Sequence, residues 1–203
     1  MSTFTIQEDF LALREECMWT MKCYKNFRHL YEHDRTLDLL KYSAGRFFHD
    51  MNIVLQEYCL LQIGKMTDPA ITKIRGVERE NLTIPNLDAR LKAENFWGHE
   101  ISELSEKIMS YRDVIQESRN RVIAHADKET FLQNLTIGEH TEQMVRSFFE
   151  NLNAYTDAVG VVLGIGPLDY RACPGKGDVI DFVSLLEDAL CRFSHTVRLD
   201  RFE

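Results

Sequence analysis

Proline and glycine are scarce, four and ten residues in a chain of 203. That scarcity leaves little room for a turn-rich β-sandwich, and there is no internal repeat and no low-complexity tract. Cysteine is sparse and odd in number. Cys17, Cys23, Cys59, Cys173 and Cys191 are dispersed without a Cys-x-x-Cys pair, so they read as reduced thiols, mostly core fillers, rather than a disulfide framework or zinc ribbon. Long apolar runs are missing too. The longest, 158–168, is interrupted by glycine and too short to span a bilayer, and charged residues from Glu8 to Glu16 leave no apolar signal segment. A soluble, cytoplasmic chain without a membrane partner is the expectation. Positive charge is also short, with 24 Lys and Arg against 32 Asp and Glu for a net charge of -8. This excludes a broad basic face that coats nucleic acid, but not a local basic cleft.

What the chain has in quantity is helical periodicity. Thr5-Ile6-Gln7-Glu8 has the spacing of a capping box and opens a first helix. Its apolar residues Phe10, Leu13, Cys17, Met21, Tyr24, Phe27 and Tyr31 recur every three or four positions. A second helix carries a wide stripe from Leu37 through Phe47, Phe48 and Val54 to Leu61, wide enough to belong in a core between neighbours. Asp68-Pro69 stops it, because proline disfavours helical geometry in the residue before it. Residues 67–97 are the least regular part, with a short helical piece at 86–92. Lys65, Lys73, Arg75 and Arg79 gather there, read either as scattered solvated charge or as a basic lip guiding a polyanion.

A third helix runs from about His99, with Ile101, Leu104, Ile108, Tyr111 and Ile115 on one face. A second capping box, Thr136-Ile137-Gly138-Glu139, opens a fourth, whose stripe from Val145 to Val162 ends among Gly160, Gly164 and Gly166. A shorter helix follows at about 179–193. The reading is an all-α chain: an antiparallel four-helix up-and-down bundle over residues 1–165, with a loop and extra C-terminal helix over 166–203.

Three motifs compete for chemistry. His29-Leu30-Tyr31-Glu32-His33 spells H-x-x-E-H and sets two histidines on one helix face, but it lacks a third ligand and the α/β scaffold of a zinc hydrolase. The glycines at 160–166 and Gly175-Lys176-Gly177 lack the strand-before, helix-after context of a phosphate loop and read as helix terminators and linker. No metal or cofactor is expected. The third motif is 119–128, where Arg119, Asn120 and Arg121 precede an apolar clip, His125, Asp127 and Lys128.

On a regular helix, residues six apart differ by about 600° of rotation and about 9 Å of rise, so Arg119 and His125 cannot converge on one phosphate from one straight helix. Either the helix distorts near Ala124 or a two-fold axis assembles the site from two chains. Paired histidines and arginines suit metal-free RNA cleavage. One neutral His accepts the 2′-OH proton, a protonated one serves the leaving oxygen, and Arg stabilises phosphate charge. Arg119, Asn120 and His125 are the candidate catalytic residues. Arg121, Lys128, Lys73 and Arg75 are candidates for RNA binding. Spacing alone favours the plainer alternative of an exposed helix end with an incidental Arg and His.

Closing a long third helix of an all-α chain, Arg119-Asn120-Arg121-Val122-Ile123-Ala124-His125 resembles the HEPN superfamily signature of Arg, a polar residue, then His. The continuation Ala126-Asp127-Lys128, with Lys65-Met66-Thr67-Asp68-Pro69 and Asn81-Leu82-Thr83-Ile84, is similar to the abortive-infection AbiU-like branch. The resemblance covers roughly residues 1–165. It implies a homodimer with its cleft at the interface, metal-independent endoribonuclease activity, and a role in phage defence or as a toxin, with an antitoxin or defence partner. Arg119, Asn120 and His125 match the motif positions. Toxins of this superfamily that are silenced by adenylylation often carry Tyr two after the His, where this chain has Asp127. A non-catalytic HEPN-like dimer that binds RNA or protein is the alternative function, since one fold hosts both.

Overall fold

The computed structural model describes residues 4–118, 141–168 and 176–199. Among them are six helices and one hairpin: α1 (Ile6–Tyr31), α2 (Asp34–Thr67), β1 (Ile71–Ile74), β2 (Val77–Glu80), α3 (Ile84–Ala93), α4 (His99–Ser118), α5 (Glu142–Val162) and α6 (Val179–Leu199). The all-α class expected from periodicity holds. The four long helices α1, α2, α4 and α5 form the expected series, with α6 as the additional C-terminal helix.

The described residues divide into two compact units, one drawn from 1–21 and 59–170 and the other from 22–58 and 171–203. In the first unit, α1 starts where the sequence sets its cap. The Thr5 N–H donates to Glu8 Oε2 at 2.7 Å and the Glu8 N–H donates to Thr5 Oγ1 at 3.2 Å, satisfying two helix-end donors reciprocally. Ile6, Phe10, Leu13 and Cys17 are buried. Arg14 donates to the Gly166 carbonyl beyond the end of α5, while the Cys17 thiol is close enough to Tyr155 to affect its titration. Moving up α1 is therefore moving down α5. Burial pushes the Cys17 thiol up to about 12, so it behaves as an inert core filler.

The α4–α5 pair is the centre of this unit. Ile101, Ile108, Tyr111 and Ile115 of α4 are buried with Phe148, Leu152, Tyr155 and Val159 of α5. The helix α5 begins with Thr141 as its cap, accepting from the Met144 N–H at 3.2 Å. The capping box at 136–139 falls outside the described residues. Gly160 does not end α5 as the sequence suggested. It lies inside the helix, and a Cβ there would meet the Gly166 carbonyl oxygen at 2.4 Å. The chain turns back after Leu163 through Gly164 at φ +72°.

The region 67–97 is more ordered than expected. Proline 69 does stop α2 at Thr67, but an antiparallel hairpin follows, with Ile71 opposite Glu80 and Ile74 opposite Val77. Its two turn residues, Arg75 and Gly76, have φ +51° and +83°, the sign that matches the right-handed twist of the strands. Thr83 then caps α3, accepting from the Asn86 N–H, with Pro85 in the first turn where its missing N–H costs nothing.

The second unit contains the C-terminal part of α1 and the N-terminal part of α2, together with α6. Tyr31 donates to the Phe48 carbonyl at 2.9 Å, Phe48 meets Phe182 at 6.0 Å, and Arg35 pairs with Glu187. Here the stripe on α2 departs from expectation. Leu40 is buried, but Phe47 and Val54 are 58% and 51% exposed. The cause is local: Ala44, beside Gly45, has non-helical φ -155° and ψ 60°, so the stripe changes phase at a kink instead of tracing one core-facing surface.

Candidate functional site

The residues that the sequence puts forward for catalysis, Arg119, Asn120 and His125, lie outside the described residues, as do Arg121 and Lys128. The structure does describe the helices that flank them. Two points of contact fix how α4 and α5 run. Tyr111 meets Phe148 at a tilt, with ring centroids 5.0 Å apart, and Ser105 and Tyr155 both donate to Asp88. Going up α4 from 105 to 111 is going down α5 from 155 to 148, so the two helices are antiparallel. Ser118 and Thr141 therefore sit at the same end of the pair, and the chain carrying the motif leaves and returns there.

Asp88 is the polar centre of this scaffold. It is buried on α3, takes the Tyr155 hydroxyl at 2.6 Å on Oδ1 and the Ser105 hydroxyl on Oδ2, and so ties α3 to both helices of the pair. Burial raises the Asp88 carboxyl above its ordinary value, against the lowering effect of Ser105, Tyr155 and the Lys92 charge. Burial, with the Asp88 charge beside it, also holds the Tyr155 phenol well above 10.0. The Tyr155 phenol therefore keeps its proton near neutrality, and the cluster ties three helices together. From the same helix, Arg90 pairs with Asp9 and donates to the Phe4 carbonyl at 3.1 Å, holding α3 against the start of α1.

Of the cations read as a basic lip, Lys73, Arg75 and Arg79 are brought together on the exposed hairpin, and all three are exposed. Lys73 faces Glu78 across the strands at 3.9 Å. Lys65 is elsewhere. It lines a cleft of about 460 Å³ with Glu16, Asp68 and Glu80, and it donates to Gln62 at 3.1 Å. The mixed charge of that lining does not make a basic groove.

His29 and His33 lie near one another at the end of α1, with rings 6.0 Å apart and edge-on. Among the described residues, no group of three or more His, Cys, Asp or Glu is placed to hold a metal ion. Among them, too, no helix is long and apolar enough to cross a membrane.

Two features escaped the sequence reading. The hairpin strands are four residues each, too short for alternation to stand out from noise, and a single glycine, Gly76, sits in the turn between them. Asp88, Ser105 and Tyr155 are each a single polar group on a separate helix, and a lone polar residue announces no partner. A family model described as AbiU2 (HEPN_AbiU2) matches residues 5–182. No curated protein and no solved structure matches the chain.

Proposed function

The chain belongs to the AbiU2 family of HEPN domains, and from that premise we propose that it is a metal-independent endoribonuclease acting in abortive infection or as a toxin, with a composite active site at a homodimer interface. The observation that carries this reading is the Arg119-Asn120…His125 motif, which falls in sequence between the antiparallel helices α4 and α5 of a chain matched by that family.

The chemistry follows from the side chains. A neutral His125 takes the proton of a ribose 2′-OH, and the 2′-oxygen attacks the adjacent phosphorus. The bond from phosphorus to the 5′-oxygen breaks, and a protonated His125 from the second chain returns a proton to that oxygen. An imidazole suits both roles because its ordinary pKa lies near neutrality. Arg119 presents a planar fork to the phosphate oxygens and stabilises the charge that builds in the pentacoordinate state. Asn120 orients Arg119 or donates to the phosphate. Arg121, Lys128 and Arg75 hold the flanking backbone, while Lys73 is paired with Glu78 across the hairpin. One motif per chain supplies only one histidine, and two-fold symmetry supplies the second.

Incubating purified protein with RNA in excess EDTA tests the reading through product ends. A 2′,3′-cyclic phosphate and a 5′-OH are expected. Activity that disappears with chelator and returns with magnesium or zinc would replace this mechanism with a metal-dependent one. Binding without any cleavage would favour the competing class, a non-catalytic HEPN-like dimer that holds RNA or a protein.

A further inference from the structure

The β1–β2 hairpin sorts its charge by face. Residues on one strand alternate between faces, and cross-strand partners share a face. The register therefore puts Ile71, Lys73, Glu78 and Glu80 on one face and Thr72, Ile74, Val77 and Arg79 on the other, with Arg75 in the turn. Both acids lie on the first face, where Glu78 pairs with Lys73 at 3.9 Å. Of the hairpin's own residues the second face holds no acid, although Thr72 at its base also lines the cleft with Glu16, Asp68 and Glu80, and neither Arg75 nor Arg79 has an ion-pair partner among the described residues. Ile74 and Val77, paired directly across the strands on that same face, are 51% and 59% exposed.

Two further facts separate this face from an idle surface. A lone two-stranded ribbon is marginal in water, and this one is anchored at its base, where the Asn81 N–H donates to the Ala70 carbonyl at 2.8 Å and its side-chain amide to the Pro69 carbonyl at 2.7 Å. Moreover, Arg75 occupies a left-handed position at φ +51°. Asn or Gly fits there with less strain, so arginine weakens the turn in exchange for a cation at its tip.

We propose that the Thr72–Ile74–Val77–Arg79 face of the hairpin, with Arg75 at its tip, is a contact surface for an RNA strand. Arg75 and Arg79 take phosphates, and the Ile74–Val77 pair lies against ribose and base. Charge complementarity selects the occupant. The chain as a whole is acidic at -8, so a polyanion is held only where acids are absent, and a ligand that joins phosphate to apolar ring surface matches this mixture. The inference rests on the ribonuclease reading and sharpens it, because it gives the hairpin's grip to Arg75 and Arg79 in preference to Lys73.

A fluorescein-labelled 2′-O-methyl RNA oligonucleotide, which lacks the attacking hydroxyl, separates binding from cleavage by anisotropy titration at two salt concentrations. Arg79→Glu and Arg75→Glu should each weaken binding by roughly tenfold and reduce the salt slope by about one contact. Lys73→Glu should change affinity by less than about threefold, as a paired surface charge does. Arg75→Asn should also lose affinity while the melting temperature holds or rises, which separates the cation from the turn. Equal losses in Lys73→Glu and Arg79→Glu, or no loss in either arginine variant, would overturn the inference. If those variants bind normally while the unchanged protein still cleaves RNA, only the hairpin assignment falls. If the unchanged protein neither binds the oligonucleotide nor cuts RNA, the ribonuclease reading falls with it.

Discussion

At the scale of single residues, Arg119 and Arg121 divide the account sharply. Arg119 has the polar neighbour and the distance to His125 that the motif requires, while Arg121 is only four before the histidine. Arg119→Ala should abolish RNA cleavage, and Arg121→Ala should weaken it through substrate binding alone. Rates and KM values for the two variants measure this, and the reverse pattern would shift the motif by two residues. Asp88 gives a second test, on stability. Its carboxyl is raised above 3.8 by burial, so the unfolded chain loses this proton at lower pH than the folded one. Its contribution is full below that ordinary value and is lost as pH climbs through the raised one. Thermal melts of Asp88→Asn should therefore depend less on pH, as it rises above the ordinary carboxyl value, than those of the unchanged protein. Sequence could put Arg119, Asn120 and His125 forward as candidates because their types and order resemble the HEPN signature. It could not name Asp88, whose meaning lies in Ser105 and Tyr155 arriving from two other helices.

At the scale of elements, the long helices were legible because each buries one face, and a 3.6-residue period over twenty or more positions is hard to mimic. The Thr5–Glu8 cap was legible because it is local and reciprocal. Elements that depend on distant partners were not. Gly160 looked like a terminator, yet it is inside α5 because the returning chain brings the Gly166 carbonyl against it. Gly160→Ala should thus destabilise the fold by about 1–3 kcal/mol by overpacking, although alanine is the better helix former. Urea denaturation tests it, and a neutral or stabilising result would mean that the 160–166 approach gives way easily. The stripe on α2 was misread for a related reason. Periodicity assumes a continuous helix, and the irregular backbone at Ala44 resets its phase.

At the scale of the whole molecule, the account needs two chains. One copy of the motif offers one histidine, whereas the proposed reaction uses a base and an acid, so a homodimer meeting beside α4 and the segment 119–127 is expected. Sedimentation at micromolar concentration should give a dimer near twice 23.7 kDa, and a monomer that remains fully active would remove the composite site. The central claim is that His125 performs metal-free RNA cleavage. Its most direct test compares the rate of RNA cleavage in EDTA by the unchanged protein and by His125→Ala, both shown to be folded. The account predicts steady cleavage by the first and a loss of at least about a hundredfold in the second, the ordinary contribution of a positioned acid or base. Equal rates in the two proteins would contradict it.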